Sequence, residues 1–315
     1  MMMSDYNTPH DHPNGAPRNR AEFGRVRRDF RPIGEPLPYL NRTLMSAPLG
    51  GERSIMVGNA SVQTVAPQAV RPQSISAIIC AYNEGDRIGR VLRAVVGHPL
   101  IDEIIVINDG STDQTEARAR AFQGVSVVSI YPNGGKTQAL LTGITLAKSE
   151  YLMLLDADLD GLTRGAIDRL AQPVLSGEAD SSISMRGDTL PIFRSLGIDF
   201  ISGERVLPRK MFNSALEEMS RLPRWGGEVF INELIIEQRL KVQVVDWADI
   251  FHTPKGEKVG SKRAGAKEEW TMFKDMVRVL SLPGIIRQHW GLMRLAGVFF
   301  FKTLNLLIPP LRARA

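Results

Sequence analysis

Two aspartates, Asp156 and Asp158, stand on either side of an alanine at the end of the apolar run YLMLL. Such a run has to be buried, and two carboxylates at its mouth repel each other unless a cation sits between or beside them. Hard oxygen ligands suit Mg²⁺ or Mn²⁺, which in turn bridge phosphates. The plainer alternative is a solvated pair of loop carboxylates, because Asp-x-Asp alone is a weak signal. Three other polar clusters follow apolar runs in the same manner: Tyr82-Asn83-Glu84 after SISAIIC, Asp109-Gly110-Ser111 after EIIVIN, and Asn133 to Lys136 after VSVVSI. The tetrapeptide GGKT (134–137) invites comparison with a phosphate-binding P-loop. That loop needs a glycine at position 130, where isoleucine stands, and no GxGxxG signature is present.

Further candidates lie in the second half of the chain. Glu228 opens the segment EVFINELIIEQRL just after Gly226-Gly227. A helix start orients a carboxylate and favours its charge. The residue is either a dipole partner or a general base for an acceptor hydroxyl, a step contributing about 10²–10⁴-fold to rate. Gly203, Glu204 and Arg205 would shape the acceptor side, with Arg205 able to meet an anionic group. His252 follows VQVVDWADIF, and on those residues alone a structural histidine is the simpler reading, although neutral imidazole is a good Mn²⁺ ligand. The loop after it holds Lys255, Lys258, Lys262, Arg263 and Lys267 against the single acid Glu257, with Gly256, Gly260 and Gly265 as hinges. A basic, glycine-punctuated loop suits a lid that orders over a diphosphate, the alternative being a solvated charge run.

The elements that must carry these residues are short and alternate. Ser74–Cys80, Glu103–Asp109, Val125–Ile130 and Tyr151–Leu159 read as buried strands. Ile88, Val91, Leu92, Val95 and Val96 recur at helical spacing. Ser111 with Gln114 predicts a capping box for a helix through Phe122, and Lys136–Lys148 predicts another helix. Strands alternating with helices imply a doubly wound, mostly parallel α/β sheet with helices on both faces. Ligands of such sheets bind beyond the carboxyl ends of the strands, where all four polar clusters fall.

Composition narrows the rest. The hydrophobic fraction is 43%, and Lys plus Arg exceeds Asp plus Glu by 39 to 34, a formal charge of +5. That excess is too small over 315 residues to imply nucleic acid, but it fits anionic small ligands or an anionic membrane surface. Cys80 is the one cysteine, which excludes an intrachain disulfide and fits a reducing, cytoplasmic setting, at most peripheral to the membrane. No secretory signal and no run of eighteen apolar residues is visible. Residues 1–73 hold nine of nineteen prolines and six arginines between Arg18 and Arg31, and read as a basic, disordered tail. Residues 281–315 read as an amphipathic C-terminal helical segment. Taken as one helix, 284–310 carries Arg287, Gly291, Arg294, Val298, Lys302 and Asn305 along one stripe, with Trp290, Met293, Phe299 and Phe300 elsewhere. Such a helix either lies in the headgroup plane of an anionic membrane or packs its apolar side on the domain.

The segments ICAYNEGDRIGRVL, VINDGSTDQT, NGGKTQALLTG and LLDADL, in this order and spacing, resemble the family 2 inverting glycosyltransferases of GT-A fold. The resemblance continues through SGERVLPR (202–209), WGGEV (225–229) and IFHTPKGEKVG (250–260), and so covers about residues 74–280. It implies a Rossmann-like GT-A domain with a donor half (74–160) and an acceptor half (161–280). By this resemblance Tyr82, Asn83 and Glu84 line the pocket for the donor base, and Asp109 binds base or ribose. Lys136 lies near the base and ribose. Asp156 holds the ribose or sugar, Asp158 and His252 ligate Mg²⁺ or Mn²⁺, and Lys255 and Lys258 close on the diphosphate. Cys80 and Asn108 depart from the family's usual proline and acidic residue. The implied activity is a single displacement that moves a sugar from a nucleoside-diphosphate sugar to a hydroxyl or lipid-phosphate acceptor on a glycan, small molecule or lipid. A UDP-sugar is the default donor. A polyprenyl-phosphate glycosyltransferase using GDP-mannose or UDP-glucose, and a non-catalytic nucleotide-sugar-binding protein, are the alternatives.

Overall fold

A computed structural model describes residues 73–253, 274–275 and 277–298. Its centre is a seven-stranded sheet. The strands in chain order are β1 (Ile75–Ala81), β2 (Glu103–Asn108), β3 (Val125–Ser129), β4 (Tyr151–Asp156), β6 (Ser181–Arg186), β7 (Arg205–Pro208) and β8 (Val242–Trp247). Their order in space is β3-β2-β1-β4-β7-β6-β8. All pairs are parallel except those of β7, which runs antiparallel to both β4 and β6. The pair β5 (Leu159–Asp160) and β9 (Phe251–His252) forms a separate antiparallel ladder, with Leu159 opposite His252.

Helices α1 (Ile88–Val95), α2 (Thr115–Arg120), α3 (Lys136–Leu146), α4 (Arg164–Leu175), α5 (Pro191–Leu196), the single turn α6 (Leu216–Met219), α7 (Gly227–Glu237) and α8 (Leu282–Leu295) cover the sheet. The period of two along β1 sorts its side chains between two cores. Ile75, Ala77 and Ile79 join α1 and α4, while Ile78 joins α3, α7 and α8 on the opposite face. A strand buried on both sides reads as a continuous apolar run, as β1, β2 and β4 do.

Local boundaries differ from the sequence reading in three places. The Ser111 capping box does not form: the Ser111 hydroxyl accepts from Asn83 N–H, and the Asp113 carboxylate instead takes the N–H of Thr115. The helix therefore begins at Thr115. The fourth strand stops at Asp156, because the Asp-Ala-Asp turn redirects the chain into β5. The C-terminal helix ends at Leu295, just before Gly297 at φ +67°, and does not run unbroken to 310.

Candidate active site

The site stands where the carboxyl ends of β1, β2, β4 and β6 meet the amino end of β7. Because β7 runs the other way, the residues that precede it, Gly203 and Glu204, lie at the same sheet edge as those that follow β4. Lys136 is the first residue of α3 and Glu228 lies in the first turn of α7, so two helix starts point to this edge as well.

Asp109 builds the approach to Lys136. Its two carboxylate oxygens accept the N–H groups of Gly134 and Gly135 at 2.7 and 2.8 Å, and its carbonyl accepts Asn133 Nδ2 at 2.6 Å. Burial raises its pKa, and the two backbone N–H groups only partly offset that. Gly135 leaves this loop at φ +90° and ψ 164°, a region open in practice only to glycine. The Lys136 ammonium then lies 2.8 Å from Asp156 Oδ1 and 2.9 Å from Glu228 Oε1. Burial works against its charge, but the two carboxylates outweigh it and hold the pKa well above the usual lysine value. Gly203 gives this pair its room: a Cβ there would sit 3.0 Å from Lys136 Nζ and 3.1 Å from both Asp156 oxygens.

Beyond Asp156 lies His252. Its Nε2 is 3.2 Å from Asp156 Oδ2 and 3.2 Å from Glu204 Oε1, and its Nδ1 is 3.4 Å from Asp188 Oδ2. Glu204 has no exposed surface. Its Oε2 accepts from Ser184, Ser202 and Arg186, which leaves Oε1 aimed at the imidazole. Burial pulls the His252 pKa down, but the three carboxylates more than reverse this and raise it to about 11. For Asp156, burial opposes ionisation, and Lys136 and His252 win and hold the carboxyl well below the ordinary range. Asp188 behaves alike and lies at about 2.

Ligand atoms of Asp156, Glu204 and His252 all lie within 4.8 Å of one another. Neighbouring ligands of an octahedral ion bound at about 2.1–2.2 Å are themselves about 3 Å apart, so the two 3.2 Å separations suit one ion of that size. Two carboxylates and an imidazole are donors that Mn²⁺ and Mg²⁺ accept. The sequence-predicted ligand His252 belongs to this group. Asp158 does not, although the β5–β9 ladder brings it beside the same segment: its carbonyl accepts the Thr253 N–H at 3.3 Å.

The other predicted residues divide. Lys136, Asp156, Gly203, Glu204, Glu228 and His252 come together. Arg205 stands apart from them. It is 1% exposed, and its guanidinium donates to the carbonyls of Ser202 and Phe200 and to Asn232 Oδ1, so it braces the interior. Tyr82 is exposed beyond β1. Asn83 (φ +54°) accepts Thr112 N–H and Glu84 N–H donates to Thr115 Oγ1, so these two tie the β1–α1 loop to the start of α2, while the Glu84 carboxylate pairs with Arg87 inside its own loop. Lys255 and Lys258 lie outside the described residues. Sequence reading missed Arg186 and Asp188. Both stand at the carboxyl end of β6, and the rule that found Asp109 and Asp156 would have found them once SSISMR was recognised as a parallel strand.

The chain is 36% identical over 112 residues to a 4,4'-diaponeurosporenoate glycosyltransferase of Staphylococcus aureus strain bovine RF122 / ET3-1, and 35% identical to the protein of that name from strain MRSA252. These matches span 34% of this chain and only 30% of the length of those curated relatives. Among solved structures, glucosyl-3-phosphoglycerate synthase from Mycobacterium tuberculosis, in complex with Mn²⁺, UDP and phosphoglyceric acid, shares the fold. Its TM-score is 0.52 at 24% identity, over 66% of this chain and 77% of that one. Residues 76–188, the stretch from β1 to Asp188 that carries Asp109, Lys136 and Asp156, match the model of glycosyl transferase family 2.

Proposed function

We propose that the protein is an inverting glycosyltransferase that takes a sugar from a nucleoside-diphosphate sugar, UDP-sugars first, and uses a divalent ion. The observation that carries this reading is the cluster of Asp156, Glu204 and His252 beside the Lys136–Glu228 pair. The Mn²⁺ and UDP bound by the mycobacterial neighbour support the choice of donor and ion.

In this reading Asp156, Glu204 and His252 hold the ion, with Asp158 reaching the same diphosphate from the adjoining turn. A bound Mn²⁺ or Mg²⁺ would neutralise charge developing on the leaving nucleoside diphosphate. Lys136 adds a fixed cation at the same edge and orients both Asp156 and Glu228. Glu228, at the start of α7, is the base that takes the proton of an acceptor hydroxyl as its oxygen attacks the anomeric carbon from the opposite face. Asp109 acts one step back: it holds the loop from which Lys136 starts, whether or not it also meets the ribose.

The test is release of nucleoside diphosphate from a panel of UDP- and GDP-sugars, with and without Mn²⁺, on wild type and Glu228→Gln. A hydroxyl acceptor needs the base, so the variant should transfer about 10²–10⁴-fold more slowly with donor affinity kept. Absence of diphosphate release from every donor, with donor binding intact, would leave a protein that only binds nucleotide sugars.

A further inference from the structure

Helix α8 has two faces with different surroundings. Gln288, Leu292 and Met293 are buried against α7, where Gln288 Nε2 donates to the Val229 carbonyl and to Glu233 Oε1 at 2.8 Å each. The domain therefore already accounts for the packed side. On the other side Leu282, Ile286 and Trp290, one turn apart, are 57%, 60% and 51% exposed. An exposed leucine or isoleucine alone is ordinary, but three large apolar side chains stacked on one helix are an organised surface. Arg294 and Arg287 lie along one side of that stripe, Arg287 also pairing with Glu233 of α7 at 3.2 Å, and α8 itself contains no acidic residue.

The charge pattern extends past the helix. Residues 281–315 contain five basic residues (Arg287, Arg294, Lys302, Arg312 and Arg314) and no acidic one, which equals the whole formal excess of +5. The rest of the chain is balanced. An apolar stripe with cations beside it, on a segment that carries no acid of its own, complements a surface that is apolar beneath and anionic above. No helix among the described residues is long and apolar enough to cross a membrane, so the fit is to a surface.

We infer that the outer face of α8 docks on an anionic lipid surface, with Leu282 and Ile286 entering the acyl boundary and Arg287 and Arg294 at headgroup level. Helix α8 lies parallel to α7: Val279 neighbours Gly226, Gln288 bonds Val229 and Glu233, and Gly291 neighbours Ile236. The Leu282 end of the stripe is thus at the same end of α7 as Glu228. Docking would hold the catalytic edge close to the lipid surface, which gives amphiphilic acceptors an advantage over soluble ones. The docking itself does not depend on the proposed transfer.

Full-length protein is sedimented with vesicles of phosphatidylcholine alone and with vesicles containing phosphatidylglycerol, at low and high salt. The expected result is pelleting with the anionic vesicles at low salt, release at high salt, and little binding to the neutral ones. Leu282→Ser with Ile286→Ser, and separately Arg294→Glu, should each reduce partitioning by about tenfold, with melting temperatures unchanged because the side chains are exposed. Three results would overturn the inference. The protein could stay in the supernatant with anionic lipid at low salt. It could pellet equally well in both variants, which would assign binding to another segment. Or the serine variant could melt many degrees lower, which would mean that the chain itself covers the stripe.

Discussion

His252 is the residue on which the site's electrostatics turn. Three carboxylates surround its imidazole, and they raise its pKa to about 11, so at neutral pH it carries a proton. A ligating imidazole has to be neutral, and metal affinity therefore couples to proton release. The sign follows: below about 11 the proton competes, so apparent Mn²⁺ affinity should rise with pH, by up to about tenfold per unit for one proton. Calorimetric titration of Mn²⁺ at pH 8, in buffers of differing ionisation enthalpy, should show about one proton released per ion bound. No proton release, or affinity flat with pH, would mean that His252 stays charged and outside the metal's sphere. The same titration separates Glu204 from Asp158. Glu204→Gln should weaken Mn²⁺ binding without nucleotide present, because Glu204 Oε1 faces Nε2 directly at 3.2 Å. Asp158→Ala should leave that binding nearly intact and weaken only the metal-dependent binding of UDP. Glu204→Gln also leaves Arg186 beside a neutral amide, and a buried ion pair broken on one side costs about 3–5 kcal/mol, so a melting curve has to accompany it.

At the scale of elements, the first half of the sheet was legible and the second half much less so. β1, β2, β3 and β4 are near-continuous apolar runs, each followed by a polar cluster, and the start of α3 falls at Lys136 as the GGKT segment implies. Sequence reading overextended the fourth strand, because Leu159 is as apolar as Leu155 and the turn between them shows only in three dimensions. It placed the α2 cap at Ser111, unaware that the hydroxyl was committed to Asn83 twenty-eight residues back. β7 was out of reach: RVLP is four residues long and buried throughout, so it has no alternation to read. Its reversed direction is what brings Glu204 beside Asp156 and His252, and this is why a residue expected near an acceptor stands in a group that could hold a metal. The loop before α3 offers a direct test. A Cβ on Gly135 would lie 2.7 Å from Arg224 Cβ and would face φ +90°. Gly135→Ala should cost about 1–3 kcal/mol in thermal unfolding and also lower donor affinity, since the loop carries Lys136. A variant as stable as wild type would show that the loop adapts and that the glycine serves only local space.

For the molecule as a whole, the doubly wound architecture and the sheet edge where the polar clusters gather were readable from alternation and motif order, while the long-range ties that close the domain were not. Three of those ties fall at the start of the described residues. Gln73 N–H donates to Glu150 Oε2 at 3.2 Å, Gln73 Nε2 donates to the Leu175 carbonyl at 3.0 Å, and the Ser74 hydroxyl accepts Glu150 N–H at 3.1 Å. The chain is thus fastened to β4 and α4 immediately before β1, and the first core side chain is Ile75, with no exposed surface. A deletion of residues 1–70 keeps every one of these contacts. The removed segment is rich in proline and arginine and poor in sustained apolar pattern, so it has little with which to stabilise the sheet. The truncated protein should melt within a few degrees of the full chain and release nucleoside diphosphate at nearly the same rate. Extending the deletion through Ser74 removes the three ties and leaves the first turn of β1 unanchored, and it should lower the melting temperature where the shorter deletion does not. A shorter deletion that already aggregates or loses donor binding would mean that residues 1–70 pack on the domain, and the basic tail would then have to be counted as part of the fold.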